Sequence, residues 1–276
     1  LFGLFSTSPQ FIFGVDAAPA ALVGAALVEM GIQRGSKQAM AVVPVLTFFV
    51  AVWLFVFAFL KAGKLVNYIS APVMGGFITG ICTTIILMQL PKLMGGTAGT
   101  GELLELAEHI AETAKNVNVP SLLLGLVTLL ILLVSKKLMP KFPMAVLLMA
   151  AGALMTKFLP VESWGVRTLS AVEPGLPVWS FPAVTAIPMK EAVTISLSVA
   201  VVIMAETLLA ENSFAQKNGY RIDDNREILA FSMGNLVAAL TGCCPMNGSV
   251  SRTAMGEQYQ AKTQLTGIVA GLSMMV

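Results

Sequence analysis

Apolar residues dominate this chain in long runs, separated by short polar or Gly/Pro-rich links. An uncharged run of about 20 residues crosses a bilayer as a helix. Ala39–Leu60, Leu65–Leu90, Asn116–Ser135 and Ile228–Ser251 reach that length. Phe142–Thr156 is shorter, but Lys141 and Lys157 at its ends can extend outward to the headgroups. Ala192–Ala205 becomes a full span once Glu206 is taken into it, and Thr263–Val276 begins another. Phe11–Met30 is apolar but carries Asp16 and Pro19, and it reads as an extended entry followed by a short helix starting near Asp16–Ala20. The pattern predicts about eight membrane elements, two of them broken.

The connections are of two kinds. Glu102–Lys115 places Leu103, Leu106, Ala107, Ile110 and Ala114 at helical spacing, which predicts an amphipathic helix on the membrane surface. Pro160–Lys190 is rich in Pro and Gly and holds Trp164 and Trp179, as an interfacial loop would. The short links at Lys61–Lys64, at Lys136, Lys137 and Lys141, and from Lys217 to Arg226 are basic. With alternating spans these three fall on one side, which the positive-inside rule makes cytoplasmic.

Composition agrees with a membrane protein: 56% of the 276 residues are hydrophobic and 12% charged, against about 25% charged in soluble domains. A net charge of +2 argues against a nucleic-acid surface. Cys82, Cys243 and Cys244 lack metal-ligand spacing, and no disulfide framework follows. The chain opens on Leu1 and stops within an apolar run at Val276, which predicts an internal piece of a longer protein.

The chemistry gathers at Thr241–Gly256. Pro245 removes a backbone donor and Gly248 frees the chain, so a helix arriving from Leu229 should stop near Cys244. Asn247 or Ser249 can then cap a new short helix running past Ala254. Such an N-terminus has unpaired N–H groups and about half a positive elementary charge. Ser249, Ser251, Thr253 and Arg252 crowd the same residues. An arginine at mid-bilayer costs on the order of 3 kcal/mol, so it points to a function, and the group reads as an anion site. Gly14–Pro19 forms a second break. Interrupted segments in two parts of a chain point to an inverted-repeat transporter with its site between facing half-helix ends. The predicted substrate-binding residues are therefore Ala18, Pro19 and Ala20 in front, and Gly248, Ser249, Val250, Ser251 and Arg252 behind.

Glu206, after at least a dozen apolar residues, has three open roles: a proton carrier, a sodium ligand together with Thr207, or a structural partner of Arg252. A helix-end glutamate reaching water is the plain alternative. Glu211, nearer the basic link, reads as solvated. Asp16, before the front half-helix, reads as its cap or as a structural or cation-coupling residue, since an acid beside an anion site would repel the substrate. His109, among Glu105, Glu108 and Glu112, reads as solvated.

These residues resemble a known family. Ser70-Ala-Pro-Val-Met-Gly-Gly-Phe-Ile-Thr-Gly80 with Gln89–Gly95 is similar to the fifth-span signature of SulP-type anion permeases. Ala210–Phe231 resembles the link after that family's eighth span, and Gly234-Asn235 with Gly242–Ala254 its ninth and tenth. Gly14–Gly24 resembles its third span, with Gly14-Val15 where the family often has Gly-Pro.

The resemblance implies an all-α membrane protein, part of a fourteen-span fold of two inverted seven-span repeats with two half-helices meeting at mid-membrane. On that map residues 1–60 and 190–276 belong to a core domain and 65–157 to a gate domain. The first two spans, the last spans and a cytoplasmic STAS domain fall outside the chain. The resemblance also places the acidic residue Glu206 toward the substrate.

The function implied is secondary active transport of a small anion, sulfate or bicarbonate, coupled to protons or sodium. No cofactor is expected beyond such a coupling ion. Expected partners are the anion and the lipid bilayer, with a homodimer formed through regions outside this chain. The expected location is a bacterial plasma membrane. Alternatives are a nucleobase permease of the same fold, an anion exchanger or a channel. A hydrolase with Ser249 as nucleophile would need a base in reach, and the one histidine, His109, lies in a surface segment.

Overall fold

The computed structural model describes residues 2–33, 35–64, 71–97, 99, 103–139, 142–168 and 179–273, without the side chains of 17, 71, 73–75, 77, 78, 81, 82 and 85. Expectations placed on 65–70, Glu102, Lys141, 169–178 and 274–276 lie outside the described residues. The chain divides into two compact units, residues 1–76 with 174–276 and residues 77–173.

In the first unit a short helix, α1 (Phe2–Phe5), leads to a two-residue strand β1 (Phe13–Gly14) and to α2 (Ala17–Glu29). α3 (Lys37–Phe59) starts where Ser36 accepts a hydrogen bond from Ala39 N–H, the usual N-cap. Its Val42, Val45, Leu46, Val50 and Leu54 are fully buried, at the spacing of one helical face. That face packs on α8 (Met189–Asn218) and α9 (Asp224–Leu240). Polar side chains tie the three helices together: Trp53 Nε1 donates to Val193 O at 3.2 Å and Ser232 Oγ to Ala51 O at 2.8 Å. Inside a bilayer such side-chain bonds to backbone carbonyls satisfy groups that have no water to turn to.

α9 ends at Leu240, earlier than the stop expected near Cys244. Gly242, at φ +74, ends it ahead of Pro245. Cys243 N–H bonds Ala238 O at 2.8 Å and Gly242 N–H bonds Ala239 O at 3.3 Å, the paired bonds of a Schellman C-cap. The run Ile228–Ser251 is therefore divided by an extended stretch holding strand β2 (Asn247–Gly248), after which α10 (Val250–Gln258) begins. α11 (Leu265–Ser273) follows where a further span was expected.

The second unit contains most of α4 (Ala71–Leu93), α5 (Leu103–Lys115), α6 (Val119–Leu138) and α7 (Met144–Phe158). Asn118 caps α6 by accepting Ser121 N–H at 2.8 Å, and its Nδ2 donates to Trp164 O at 2.9 Å. α6 exposes Leu123, Leu126, Leu130 and Leu133, an apolar face suited to lipid tails. α5 is amphipathic as expected, with Leu106 fully buried and its carboxylates outward. His109 Nε2 lies 3.2 Å from Thr97 O. Among the described residues α3, α6 and α8 are long and apolar enough to cross a membrane.

Candidate functional site at the crossing of two interrupted segments

The two breaks read from the sequence meet. β1 and β2 pair antiparallel, Phe13 opposite Gly248 and Gly14 opposite Asn247. Two residues cannot make a sheet, yet they cross-brace two chains that each go on to start a helix, α2 at Ala17 and α10 at Val250. The ladder continues through side chains. Ser249 N–H donates to Ile12 O at 2.8 Å. Ile12 N–H donates to Thr253 Oγ1 at 3.0 Å, and Thr253 Oγ1 donates to Ser249 O at 2.7 Å. Thr253 and Ser249 are almost wholly buried.

α8 runs beside this crossing and holds it at two consecutive residues. Thr207 Oγ1 accepts Gly248 N–H at 3.0 Å. Glu206 Oε2 accepts Asn247 Nδ2 at 3.2 Å. Gly248 is required by space: a Cβ there would stand 2.6 Å from Thr207 Cγ2 and against the Phe11 ring. On the other side Asn235 of α9, fully buried, accepts Met246 N–H at 2.8 Å and donates to Met246 O at 3.0 Å. Below it Phe2, Phe13 and Phe231 stack, with Phe13 4.9 Å from Phe2 and 5.3 Å from Phe231 between ring centroids.

Arg252 lies in the first turn of α10 and is half-buried. Its Nη2 donates to Val15 O at 2.6 Å, bridging the second break to the first. The guanidinium thus lies against Gly14 and Val15, just before α2 begins. The first-turn N–H groups of Val250, Ser251 and Arg252 have no carbonyl one turn back within the helix. Ser251 is exposed there, its hydroxyl 3.4 Å from that of Ser249. Unpaired N–H groups, a helix dipole and an arginine at one place can hold an anion.

The predicted residues fall as follows. Pro19 is buried, Ala18 half-buried and Ala20 exposed in the first turn of α2. Gly248 and Ser249 are buried in the crossing, while Val250, Ser251 and Arg252 open α10. Ser249 occupies the N-cap position without a side-chain cap bond, and its own N–H is already spent on Ile12. Of the three roles left to Glu206, pairing with Arg252 is not seen: among the described residues the ion pair is Lys217–Glu257. Glu211, read as solvated, is fully buried. α8 continues to Asn218, so Glu211 lies inside the helix rather than at its watery end.

Asn247 and Asn235 do more than the sequence reading assigned them. The signal in the sequence is an asparagine inside an apolar run at both positions, since an amide there must be bonded. Asn247 Oδ1 is buried and meets no donor, next to the Glu206 carboxylate.

Two chain breaks that pair just before α2 and α10 begin have the arrangement of a membrane fold built on interrupted helices. The Sulfate permease family matches residues 1–276. The protein called "probable sulfate transporter" in Mycobacterium tuberculosis (strain CDC 1551) is 24% identical over 271 residues, covering 98% of this chain and 48% of that protein. The structure of SLC26A9 superposes with a TM-score of 0.76 at 19% identity, over 97% of this chain and 45% of that one. The transmembrane domain of the cyanobacterial bicarbonate transporter BicA gives 0.74 at 20% identity, over 99% and 70%. The chain belongs to the sulfate permease family and is an integral membrane protein with that family's inverted-repeat helical fold. It spans about half the length of the curated relatives it matches.

Proposed function

We propose that this chain carries the anion site of a secondary active transporter that works by alternating access. The observation that carries the reading is the β1–β2 pairing, which sets the starts of α2 and α10 together with Arg252 bridging them. Residues 1–60 and 190–276 belong to the core that holds the anion and residues 65–157 to the gate, a division supported by the two compact units of the chain. Ala18, Pro19 and Ala20 bound the site in front. Gly248 to Arg252 bound it behind, with Ser251 and Arg252 as its polar side chains. Sulfate and bicarbonate are the cargoes favoured, since the matched relatives are called sulfate transporters and a matched fold a bicarbonate transporter.

Glu206 is the coupling residue, taking a proton or helping bind sodium. Its support is the buried, donor-free Asn247 Oδ1 beside it: a cation, or a proton carried by Glu206, supplies what that acceptor lacks. Thr207 acts by holding Gly248. The protein resides in a bacterial plasma membrane and dimerises through regions outside this chain.

The test is uptake of radiolabelled sulfate and bicarbonate by the full-length protein in liposomes, under an imposed proton or sodium gradient. Gradient-driven uptake that Glu206→Gln uncouples is expected. Uptake of uracil or xanthine in place of any anion would refute the reading, and gradient-independent flux surviving Glu206→Gln would replace symport by exchange or a channel.

A further inference from the structure

Between α1 and α2 the chain runs without a helix from Ser6 to Asp16, so most of its backbone groups must find partners elsewhere. Those partners arrive in order along the segment. Glu227 Oε1, from α9, accepts the Thr7 N–H and hydroxyl and Ser8 N–H. Ser249 and Thr253 bond Ile12, and Arg252 bonds Val15. Between these levels stands a side chain from outside the crossing. Gln264 Nε2 donates to Ser8 O at 2.8 Å and to Phe11 O at 2.9 Å. Gln264 lies in the turn that joins α10 to α11. The Ser8 hydroxyl accepts Phe11 N–H at 3.3 Å, so both carbonyls belong to one tight turn, and the two hydrogens of a single amide serve them.

Phe11 carries this contact to the crossing. It is fully buried and clusters with Ala210 and Phe214 of α8, and Val250, the first residue of α10, packs against the cluster. The same ring fills the space that a Cβ on Gly248 would need. Phe11 is therefore held twice, its ring between α8 and the back segment and its carbonyl by Gln264.

Packing alone does not keep Gln264 in place. The residue is half-buried and borders, with Phe2, Phe13, Met246 and Ile268, an apolar cavity of about 370 Å3. With that room beside it, the side chain stays on the turn through its two hydrogen bonds. Removing them leaves the Ser8 and Phe11 carbonyls without their donor beside an apolar space. The turn is then free to shift, taking the Phe11 ring away from Gly248 and Val250. A binding site keeps its geometry only while the residues behind it are locked by packing and hydrogen bonds.

We propose that Gln264 is a positioning residue of the crossing: it fixes the Ser8–Phe11 turn and, through the Phe11 ring, sets where Gly248 and the start of α10 lie. Its amide bonds Ser8 and Phe11, neither of which bounds the anion site, so it acts on the anion through other residues. The effect on the anion rests on the proposed function, whereas the effect on the turn does not.

The experiment combines hydrogen–deuterium exchange with calorimetric titration of sulfate and bicarbonate, on full-length wild type and Gln264→Met, which keeps the length of the side chain without its donors. The amides of residues 11–14 and 248–250 should exchange about tenfold faster, the fold-change of one lost hydrogen bond, while those of the buried face of α3 stay as they were. The anion that wild type binds should be bound about fivefold more weakly. Gln264→Asn, which keeps the amide but draws it back by one methylene, should move both readings the same way by less, and it decides the matter if Gln264→Met does not fold. Unchanged exchange at residues 11–14 in a folded variant overturns the proposal. So does faster exchange spread equally over α3, the mark of general loosening, and so does local loosening with unchanged anion affinity. If wild type binds neither anion, the proposed function fails, and the exchange result still decides whether Gln264 holds the turn.

Discussion

The front interruption, Ile12–Ala20, meets the back one mainly through its backbone, while the back one, Pro245–Thr253, brings Asn247, Ser249, Arg252 and Thr253. Ile12 offers both its C=O and its N–H, and Val15 its C=O. The side chains of Thr253 and Arg252 come to them. The lesson is that an inverted-repeat crossing need not be chemically symmetric. At the pairing itself one segment can offer backbone groups while the other brings the bracing side chains and an arginine. The departure at Val15 belongs to this division of labour, since its carbonyl serves Arg252 whatever the side chain.

The largest effect should come from filling the closest approach between them. Gly248→Val puts carbon atoms into Thr207 and the Phe11 ring, and should cost about 3 kcal/mol of stability and abolish transport. Thermal melting of the purified protein measures it, and a melting point near wild type would show that the crossing is looser than described. Next is the clamp on the back segment. Asn235→Leu leaves the Met246 N–H and C=O without their buried partner, at about 2 kcal/mol. The same melting experiment checks it.

Thr253→Val removes the hydroxyl that joins Ile12 N–H to Ser249 O. It should cost about 1–2 kcal/mol, whereas Ser251→Val, at an exposed position, should leave stability within about 0.5 kcal/mol. That contrast separates brace from ligand, because on the proposed function Ser251→Val weakens anion affinity and Thr253→Val lowers stability first. The smallest effect belongs to Lys217→Gln. Lys217 is largely exposed and Glu257 partly so, and breaking such a surface pair should change stability by less than about 1 kcal/mol, read by the same melts.

Much of this was legible along the chain. Length and apolar runs located α3, α6 and α7 to within a few residues, because a bilayer allows backbone polar groups few solutions, whereas α8 runs well past Ala205 to Asn218. Gly and Pro marked both breaks, and the hydroxyls beside Arg252 marked the richer one. What one sequence could not show was contact. Nothing in Phe13-Gly14 or Asn247-Gly248 announces that they pair, since two residues have no periodicity. Pairing across more than two hundred residues is set by packing on α8 and α9. Glu211 was misread for a related reason: proximity to a basic link in sequence says little about which face of a continuing helix the carboxylate takes. Helix ends, as at Leu240, were set by a glycine C-cap that the more conspicuous Pro245 had overshadowed.

The central claim is that the crossing binds an anion through the start of α10 and Arg252. Calorimetric titration of sulfate and bicarbonate into the full-length protein tests it most directly, with wild type, Arg252→Gln and Asn235→Leu compared at matched folded fraction. The account predicts that one of the two anions binds wild type and that Arg252→Gln weakens it at least about tenfold, the loss of one charge-assisted contact, while folded Asn235→Leu retains more of it. Unchanged anion affinity in Arg252→Gln would contradict the account.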